Sequence, residues 1–276
     1  MLENLLNQVF LWNPSINKAI NVPLPQLQNS RGKFDIDCAF GFDPITNEYK
    51  IVASFYVLYE SQFPKFVDIY TLSNDSWRNI DMNDIPYLWV KDAPKCYLNG
   101  FIYWVSNDPM KTTLKGRFPY FVSFDVSKEV FKFINLPNCE LINEVCHERS
   151  PIELNGSVGL IDTYLNYTNI WVMDQSISSW TKLYKISLPL FHKCLYLKED
   201  GNLLHAGEHG GIYLYNLETQ EKKVVAKSYK ITPFFIRAYE ESLVLYKGLD
   251  DRNTFCFPVK DQKRITSYED YFSNYL

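Results

Sequence analysis

The sequence repeats a short pattern of apolar runs and polar turns, and this repeat constrains the fold more than any other feature of the chain. Each copy is an aromatic-rich apolar run, a turn rich in Asn, Asp and Ser, and a second apolar run. The matching positions are Trp12, Tyr70, Phe124, Met173 and Tyr215, at successive spacings of 58, 54, 49 and 42 residues. Internal repeats of this kind are typical of propellers and other repeat architectures.

A second hairpin signal lies between the copies. It is Asn99-Gly100, Asn155-Gly156 or Asp200-Gly201, each flanked by apolar runs. Asn-Gly and Asp-Gly supply the positive φ angles that a two-residue hairpin turn requires. Two hairpins in each period make a four-stranded antiparallel sheet. The sequence therefore predicts an all-β, β-propeller-like fold.

The pattern predicts about six four-stranded blades, the first of which is incomplete. Residues 8–13 and 18–22 supply only the two outer strands of the first blade, and a weaker last unit spans about 231–266. The strands predicted for the four blades between them are 37–43, 48–57, 65–72 and 76–81; 94–98, 101–105, 119–126 and 129–135; 150–154, 157–163, 168–174 and 179–184; and 192–198, 202–206, 211–217 and 221–226.

The length suits a single domain, because all-β domains of this size commonly form one unit. We expect a short N-terminal segment over 1–7, the propeller over 8–266 and a C-terminal tail over 267–276. Alternate strand connections emerge on opposite faces of a propeller. The long connections therefore share one face, and long loops on a rigid scaffold usually carry recognition. They are 58–64, 82–93, 106–118, 136–149 and 185–191.

Composition argues against several classes of partner. The chain has 28 basic and 32 acidic residues and a net charge of −4. That is the wrong sign for a protein that neutralises the phosphates of nucleic acid. No apolar run is long enough to cross a bilayer, so no membrane partner is expected. Six cysteines without CxxC spacing, and an N-terminus unlike a secretory signal, indicate a cytoplasmic or nuclear protein.

No motif predicts catalysis, a metal site or a cofactor. His205 and His209 flank a Gly-rich hairpin and are interpreted as surface-turn residues, and Cys139, Cys146 and His147 lack the second ligand pair of a zinc site. Adjacent carboxylates lie at strand ends or turns, where Asp and Glu are ordinary solvated residues. They are Asp35 and Asp37, Glu199 and Asp200, Glu240 and Glu241, and Asp250 and Asp251.

Aromatic residues separate into two groups. The tryptophans on predicted strands are interpreted as packing between blades; they are Trp12, Trp77, Trp104, Trp171 and Trp180. Of these, Trp77 and Trp180 occupy equivalent positions on the fourth strand of their blades. The second group lies in long loops, where exposed aromatic residues are typical interface anchors. Together with their neighbours, the predicted substrate-binding residues are Tyr87, Leu88, Trp89, Phe63, Arg117 and Phe118.

An ordered set of motifs resembles the F-box-associated domain of plant F-box proteins. The resemblance extends from about Val9 to Tyr246, and two later motifs are similar in particular to the S-locus F-box-like branch. The general motifs are Phe40-Gly-Phe-Asp-Pro-Ile-Thr-Asn-Glu-Tyr-Lys-Ile-Val, Ile69-Tyr-Thr-Leu-Ser-Asn-Asp-Ser-Trp-Arg, Leu98-Asn-Gly-Phe-Ile-Tyr-Trp and Ser123-Phe-Asp-Val-Ser. Those of the S-locus branch are Ile170-Trp-Val-Met-Asp, followed by Ser179-Trp-Thr-Lys-Leu, and Tyr239-Glu-Glu-Ser-Leu-Val-Leu-Tyr.

The resemblance implies a substrate receptor and not an enzyme. In this family an N-terminal F-box binds a Skp-type adaptor within a cullin-based SCF ubiquitin ligase, and the associated domain holds the protein to be ubiquitinated. This sequence opens at the Leu11-Trp-Asn-Pro-Ser element and shows no F-box. Binding to Skp and cullin is therefore expected only of a full-length product that contains one.

The kind of protein that is bound is indicated by the family branch and by the charge of the chain. Relatives in the S-locus branch recognise basic ribonucleases in self-incompatibility, and an acidic chain suits a basic, ribonuclease-like protein substrate. One alternative is a stand-alone propeller that binds protein or carbohydrate without a ligase. A propeller hydrolase is the third hypothesis, since the adjacent carboxylates are the acid–base groups that such an enzyme would need.

Overall fold

The fold is all-β in the part of the chain that the computed structural model describes. The described residues are 9–24, 34–57, 66–80, 94–113, 116–137, 148–176, 178–187, 193–198, 200–207, 211–227 and 254–256. The strands are β1 (Val9–Asn13), β2 (Lys18–Val22), β3 (Phe34–Asp43), β4 (Glu48–Val57), β5 (Phe66–Thr71), β6 (Ser76–Ile80), β7 (Lys95–Leu98), β8 (Phe101–Thr113), β9 (Gly116–Asp125), β10 (Val130–Asn135), β11 (Glu148–Leu154), β12 (Ser157–Thr163), β13 (Tyr167–Asp174), β14 (Ser179–Ser187), β15 (Lys193–Leu197), β16 (Asn202–Ala206), β17 (Gly211–Asn216), β18 (Lys222–Lys227) and β19 (Thr254–Cys256). No helix in these ranges is long and apolar enough to span a membrane.

The strands form five antiparallel sheets. Sheet I has the order β1-β2-β19, and the others are four-stranded in chain order: sheet II is β3 to β6, sheet III is β7 to β10, sheet IV is β11 to β14 and sheet V is β15 to β18. The first strand of each four-stranded sheet lies closest to the neighbouring sheets, because β3 and β11 both contact β7 and β8, and β15 contacts β11 and β12. The predicted propeller-like architecture is confirmed.

The hairpin between β8 and β9 differs from the prediction. Residues 106–118 were expected to form a long loop, but residues 106–113 continue β8 and β9 begins at Gly116. The ladder register shifts between Asp108 and Thr112. Pro109 lies inside this shift, and a proline cannot donate a ladder hydrogen bond. A bulge around the proline therefore lets both strands continue where the sequence reads as a loop.

Sheet I joins the two ends of the chain. The sequence predicted two strands at the N-terminus and a separate last unit over about 231–266. Instead, Thr254, Phe255 and Cys256 pair with Ile20, Ala19 and Lys18. Within the predicted last unit, only residues 254–256 are described, and they complete the first sheet. The total number of blades stays a prediction, because 228–253 lies outside the described residues.

Five hairpins use one turn design. In each, an Asx residue ends the first strand and its side-chain oxygen accepts backbone N–H bonds from residues two or three positions on. These residues are Asn13, Asp43, Asp125, Asp174 and Asn216. Four positions after each, a residue adopts positive φ; these are Asn17, Asn47, Glu129, Ser178 and Gln220. Asx turns and left-handed residues fix the hairpin register through local bonds alone.

The core is a series of apolar layers, each between two consecutive sheets. Leu11 and Val22 of sheet I pack with Ile51 and Tyr70 of sheet II. The layers between later sheets contain Val52, Ile69, Trp104 and Phe124 (sheets II and III), Phe121, Ile134, Leu160 and Met173 (III and IV), and Ile152, Ile170, Leu197 and Leu203 (IV and V). Consecutive residues of one strand contribute to different layers, which matches the alternation of side chains across a sheet.

Two tryptophans reinforce these layers at the outer strands. Trp77 of β6 donates its indole N–H to the carbonyl of Pro23, which follows the second strand of sheet I. Trp180 of β14 donates to the carbonyl of Asn135, at the end of the outer strand of sheet III (2.7 Å). The prediction that these two residues are equivalent and pack between blades is confirmed. Trp12 is different, since 43% of its surface is exposed and it lies on the face of sheet I opposite Leu11, away from sheet II.

A buried ion cluster joins the turns of sheets II and III. The Lys50 ammonium group donates to Asp43 (2.9 Å), to the carbonyl of Val126 (3.0 Å) and to Glu129 (3.1 Å). Ser127 donates a further bond to Asp43. Burial opposes the charge of Asp43, but these hydrogen bonds hold the pKa of its carboxyl well below the ordinary value. Lys50 therefore binds two hairpins that are distant in sequence.

Replacing Lys50 tests this cluster. Lys50→Met leaves the fully buried Asp43 carboxylate without its cation, so we expect the free energy of unfolding to fall by about 3 to 5 kcal/mol in urea denaturation. Lys128→Met is the matched control, because Lys128 is 75% exposed and lies 3.7 Å from Asp125. Its effect should stay below about 1 kcal/mol. Equal effects of the two substitutions would contradict a structural role for the Lys50 cluster.

Candidate functional site

Most of the predicted contact residues lie outside the described part of the chain. This applies to Tyr87, Leu88, Trp89 and Phe63, which remain predictions. Arg117 and Phe118 lie in β9, where their backbones pair with Thr112 and Asp108. They are therefore strand residues near the end of a long hairpin, and not loop residues as the sequence suggested.

The antiparallel order assigns the connections to two ends of the sheets. The Asx turns and the Asn-Gly turns lie at one end, which we call the tip end. Connections 58–65, 81–94, 136–147 and 188–192 join strands at the opposite end, which we call the loop end. The predicted contact residues 63 and 87–89 belong to connections at the loop end. A binding site that uses them would include the strand residues next to these connections.

A row of polar residues crosses sheet IV at its loop end. Arg149 of β11 pairs in register with Asp162 of β12, Asp162 with Asn169 of β13, and Asn169 with Lys185 of β14. We call these four residues the polar row. Trp171 lies two residues beyond Asn169 on the same strand, so it shares this face of the sheet and packs into the layer against sheet III.

The centre of the polar row is a buried carboxylate. Asp162 is fully buried and accepts hydrogen bonds from Arg149 Nε (2.9 Å, to Oδ1) and from Trp171 Nε1 (3.2 Å, to Oδ2). Burial raises the pKa of Asp162 above its usual value, and the nearby Arg149 guanidinium only partly offsets this. The two donors fix the orientation of the carboxylate, so this half of the row is rigid.

The neighbouring amide is buried and not satisfied. Asn169 is 5% exposed, and its Oδ1 has no hydrogen-bond partner among the described residues. Nearly all buried polar atoms in proteins have a partner, so such an atom requires an explanation. An acceptor held beside a fixed Arg149–Asp162 pair is suited to bind a donor group of a ligand, such as an amide, a hydroxyl or an ammonium group.

The outer end of the polar row is cationic and aromatic. The Lys185 ammonium group lies 4.1 Å from the centre of the Tyr167 ring, and that of Lys182 lies 4.6 Å from the Trp171 ring. Cation–π contacts of this kind hold flexible lysines in place. The row therefore runs from a buried ion pair at the inner strand to exposed, positioned cations at the outer strand.

A second ion pair lies at the loop end, between sheets II and III. Lys95, the first residue of β7, contacts both carboxylate oxygens of Asp37 on β3 (2.8 and 2.6 Å). Next to it, burial raises the pKa of the Cys38 thiol to about 12, with Asp37 adding to the effect and Lys95 opposing it. Burial also raises the pKa of Cys194 to about 12. Both thiols are protonated near neutral pH and are poor nucleophiles.

The interpretation of His205 as a surface-turn residue is wrong. His205 was expected in a surface turn, but it is fully buried on β16 and stacks on Tyr213 (ring centroids 5.3 Å apart). The Gly-rich segment that suggested a turn begins only at Gly207. His209, Cys139, Cys146 and His147 lie outside the described residues. Within the described ranges, no three His, Cys, Asp or Glu side chains form a group that could hold a metal ion.

The sequence reading missed the polar row. A signal was present, because Asp162 interrupts the buried apolar run Val158 to Ile161, and Arg149 and Asn169 also lie within strand-like segments. A charged residue inside a buried run needs a partner. The partner of Asp162 depends on the register between strands, which the sequence alone does not specify at this end of the sheet.

A family model and the curated relatives agree on one family. The model of the F-box associated beta propeller domain matches residues 1–229. Among curated proteins of Arabidopsis thaliana, F-box protein At1g52495 is 29% identical over 63% of this chain and 41% of its own length, and F-box protein At3g07870 is 29% identical over 67% and 48%. F-box/kelch-repeat protein At3g23880 is 25% identical over 75% of this chain and 56% of its own.

The chain thus spans about half the length of these relatives. Among solved structures, oligogalacturonate lyase in complex with manganese has a TM-score of 0.48 and 8% identity, over 79% of this chain and 64% of the lyase. A likeness at this level carries no information on function.

The unsatisfied amide gives a direct test of the candidate site. Asn169→Val removes a buried acceptor without a partner, so we expect the free energy of unfolding to rise by about 1 to 3 kcal/mol. Denaturation in urea measures this change. Thr168→Val on the adjacent position is the control, because Thr168 is fully buried and its hydroxyl lies 3.4 Å from that of Thr163. A loss of stability in Asn169→Val would show that the amide is satisfied and would contradict its role in a ligand site.

Proposed function

The chain belongs to the F-box-associated β-propeller family, and from this premise we propose that it is the substrate-recognition domain of an SCF-type ubiquitin-ligase receptor. The curated relatives that it matches are F-box proteins. The proposal assigns this chain the binding of a protein substrate. Docking to a Skp adaptor and a cullin is assigned to an F-box in a full-length product.

One structural observation supports the proposal most. At the loop end of sheet IV, the buried Asn169 Oδ1, which has no partner among the described residues, lies next to the fixed Arg149–Asp162 pair. These residues lie on strands and not on loops, so their positions are set by the ladder and the core layers. A site on rigid strands is suited to hold a protein partner, since binding then costs little ordering of the receptor.

We propose a receptor without catalysis. The carboxylate at the centre of the described site, Asp162, accepts one hydrogen bond at each oxygen, from an arginine and from a tryptophan. The buried thiols are protonated. The thiols are therefore unsuited to nucleophilic catalysis, which requires the thiolate. The two donors hold Asp162 in a fixed orientation, which is the arrangement of a structural carboxylate.

Other parts of the proposal rest on the sequence alone. These are a cytoplasmic or nuclear location, membership of the S-locus branch with a role in self-incompatibility, and a basic, ribonuclease-like substrate. The net charge of −4 supports the last of these, because an acidic chain attracts basic partners.

The function can be tested by joining the chain to an F-box from a related protein. We expect the fusion to co-purify with a Skp adaptor and the bare chain not to do so. We also expect both to retain the same bound protein, whose abundance falls only when the fusion and an active cullin are present. Quantitative mass spectrometry of the purified material and of whole cells measures both effects.

The Asn169→Val fusion is the matched control, since it should fold and bind Skp but retain less of the bound protein. Two outcomes would contradict the proposal. Skp binding by the bare chain would contradict the assignment of Skp binding to the F-box and of substrate binding to this chain. A bound protein whose abundance is independent of the F-box would instead favour a stand-alone binding module.

A further inference from the structure

The outer strands of the four-stranded sheets carry charge of one sign only. These strands, β6, β10, β14 and β18, contain Arg78, Lys132, Lys182, Lys185, Lys222, Lys223 and Lys227 and no aspartate or glutamate. The chain as a whole has more acidic than basic residues. The excess of basic residues is therefore a property of the outer strands, at the perimeter of the propeller, and not of the chain as a whole.

The basic charge concentrates on sheets IV and V. Lys182 and Lys185 are exposed on β14, and Lys222 and Lys223 are exposed on β18. Among the described residues, none of these four lysines forms an ion pair with an acidic side chain. In contrast, Arg78 of sheet II pairs with Glu129. The cations of sheets IV and V are thus available to a partner.

Three of these cations are held in place. The ammonium groups of Lys182 and Lys185 lie over the rings of Trp171 and Tyr167, and that of Lys222 lies 3.7 Å from the centre of the Tyr213 ring. Each ring belongs to the strand next to the outer one. Positioned lysines lose less side-chain freedom when they bind an anion than freely rotating ones do.

An exposed apolar residue accompanies the lysines on both sheets. The ladder between β13 and β14 skips Leu183, because Trp171 pairs with Lys182 and Ile170 pairs with Tyr184. The ladder between β17 and β18 skips Val225 in the same way, because Tyr213 pairs with Val224 and Ile212 with Ala226. Such bulges redirect a side chain. Leu183 is 45% exposed and Val225 is 55% exposed.

The two bulges occupy equivalent positions. Each bulge residue follows the Asx residue of its hairpin by nine positions, from Asp174 to Leu183 and from Asn216 to Val225. Sheets II and III have no register shift between their outer two strands in the described residues. Lysines and bulges are known to protect edge strands from pairing with other chains. Protection does not require an exposed leucine and an exposed valine between the lysines.

We propose that the outer edges of sheets IV and V form a docking surface for an acidic protein segment that also carries apolar side chains. Its carboxylates would contact Lys182, Lys185 and Lys222, and its apolar groups would cover Leu183 and Val225. The surface shares Lys185 with the polar row but extends along the outer strands away from it, and it does not depend on the ubiquitin-ligase function. A protein partner fits better than a nucleic acid, because the lysines flank aliphatic side chains on an otherwise acidic chain.

A labelled peptide of alternating glutamate and leucine tests the surface by fluorescence anisotropy. We expect the full chain to bind this peptide, and binding to weaken about tenfold in K182Q/K185Q/K222Q, because three exposed ion pairs that each strengthen binding about twofold are lost. K18Q/K128Q/K198Q is the matched control, since it removes the same charge from exposed lysines elsewhere. Binding to the control should stay within about twofold of wild type, as expected for screened long-range charges.

Two further comparisons make the outcome decisive. L183S/V225S should weaken binding of the glutamate–leucine peptide while leaving a peptide of alternating glutamate and serine unaffected. A single-stranded oligonucleotide of equal charge should bind more weakly than the glutamate–leucine peptide. The proposal is overturned if the peptide does not bind, if both lysine triples weaken it equally, or if the oligonucleotide binds more tightly. Thermal unfolding confirms that each variant folds.

Discussion

Sheets II, III and IV are apolar on both faces, and the rest of the structure follows from this. In sheet III, for example, Trp104 packs towards sheet II while Tyr103 packs towards sheet IV. Such a sheet cannot expose either face to water without losing a large part of its hydrophobic stabilisation. Each sheet therefore needs a neighbour on both sides, and the sheets assemble in series. In such a series, the first and the last sheet each leave one apolar face uncovered unless the series closes into a ring. The pairing of β2 with β19 is important for this reason, because it joins the two ends of the chain in one sheet.

The same constraint determines where function can reside. Because the faces of the sheets are used for packing, polar chemistry is confined to the two ends and to the outer edges. At the tip end, the turns and Lys50 satisfy one another and stabilise the assembly. At the loop end, Asp162 has two hydrogen-bond donors, whereas the Asn169 oxygen has none within the described part of the chain. The outer edges carry lysines over aromatic rings. Structural and binding roles are thus separated by position in the fold.

Local signals account for what the sequence predicted well. The Asx residue with a positive-φ residue four positions later, and the Asn-Gly turns, define hairpins by bonds within a few residues. Strand bounds such as 48–57, 157–163 and 202–206 were therefore predicted as observed. The equivalence of Trp77 and Trp180 followed from their position in the repeat. Features that depend on distant partners were missed, including the pairing of Phe255 with Ala19 and the partners of Asp162. The loop predicted over 106–118 and the surface turn predicted at His205 were wrong. Proline and glycine, here Pro109 and Gly207, occur both in loops and at bulges or strand ends, and the local sequence does not distinguish these settings.

Closure of the ring is tested most directly by a disulfide between the two ends of the chain. Lys18 and Cys256 are directly paired in the ladder of sheet I. Antiparallel partners have Cα atoms roughly 4.5 to 5.5 Å apart, within the range of about 4.4 to 6.8 Å that a disulfide allows. Under mild oxidation, Lys18→Cys should form a disulfide with the native Cys256, detected by mass spectrometry of non-reduced peptides, and the bond should disappear in K18C/C256S. A folded Lys18→Cys protein in which residue 18 stays a free thiol, or pairs with another cysteine, would contradict a closed propeller.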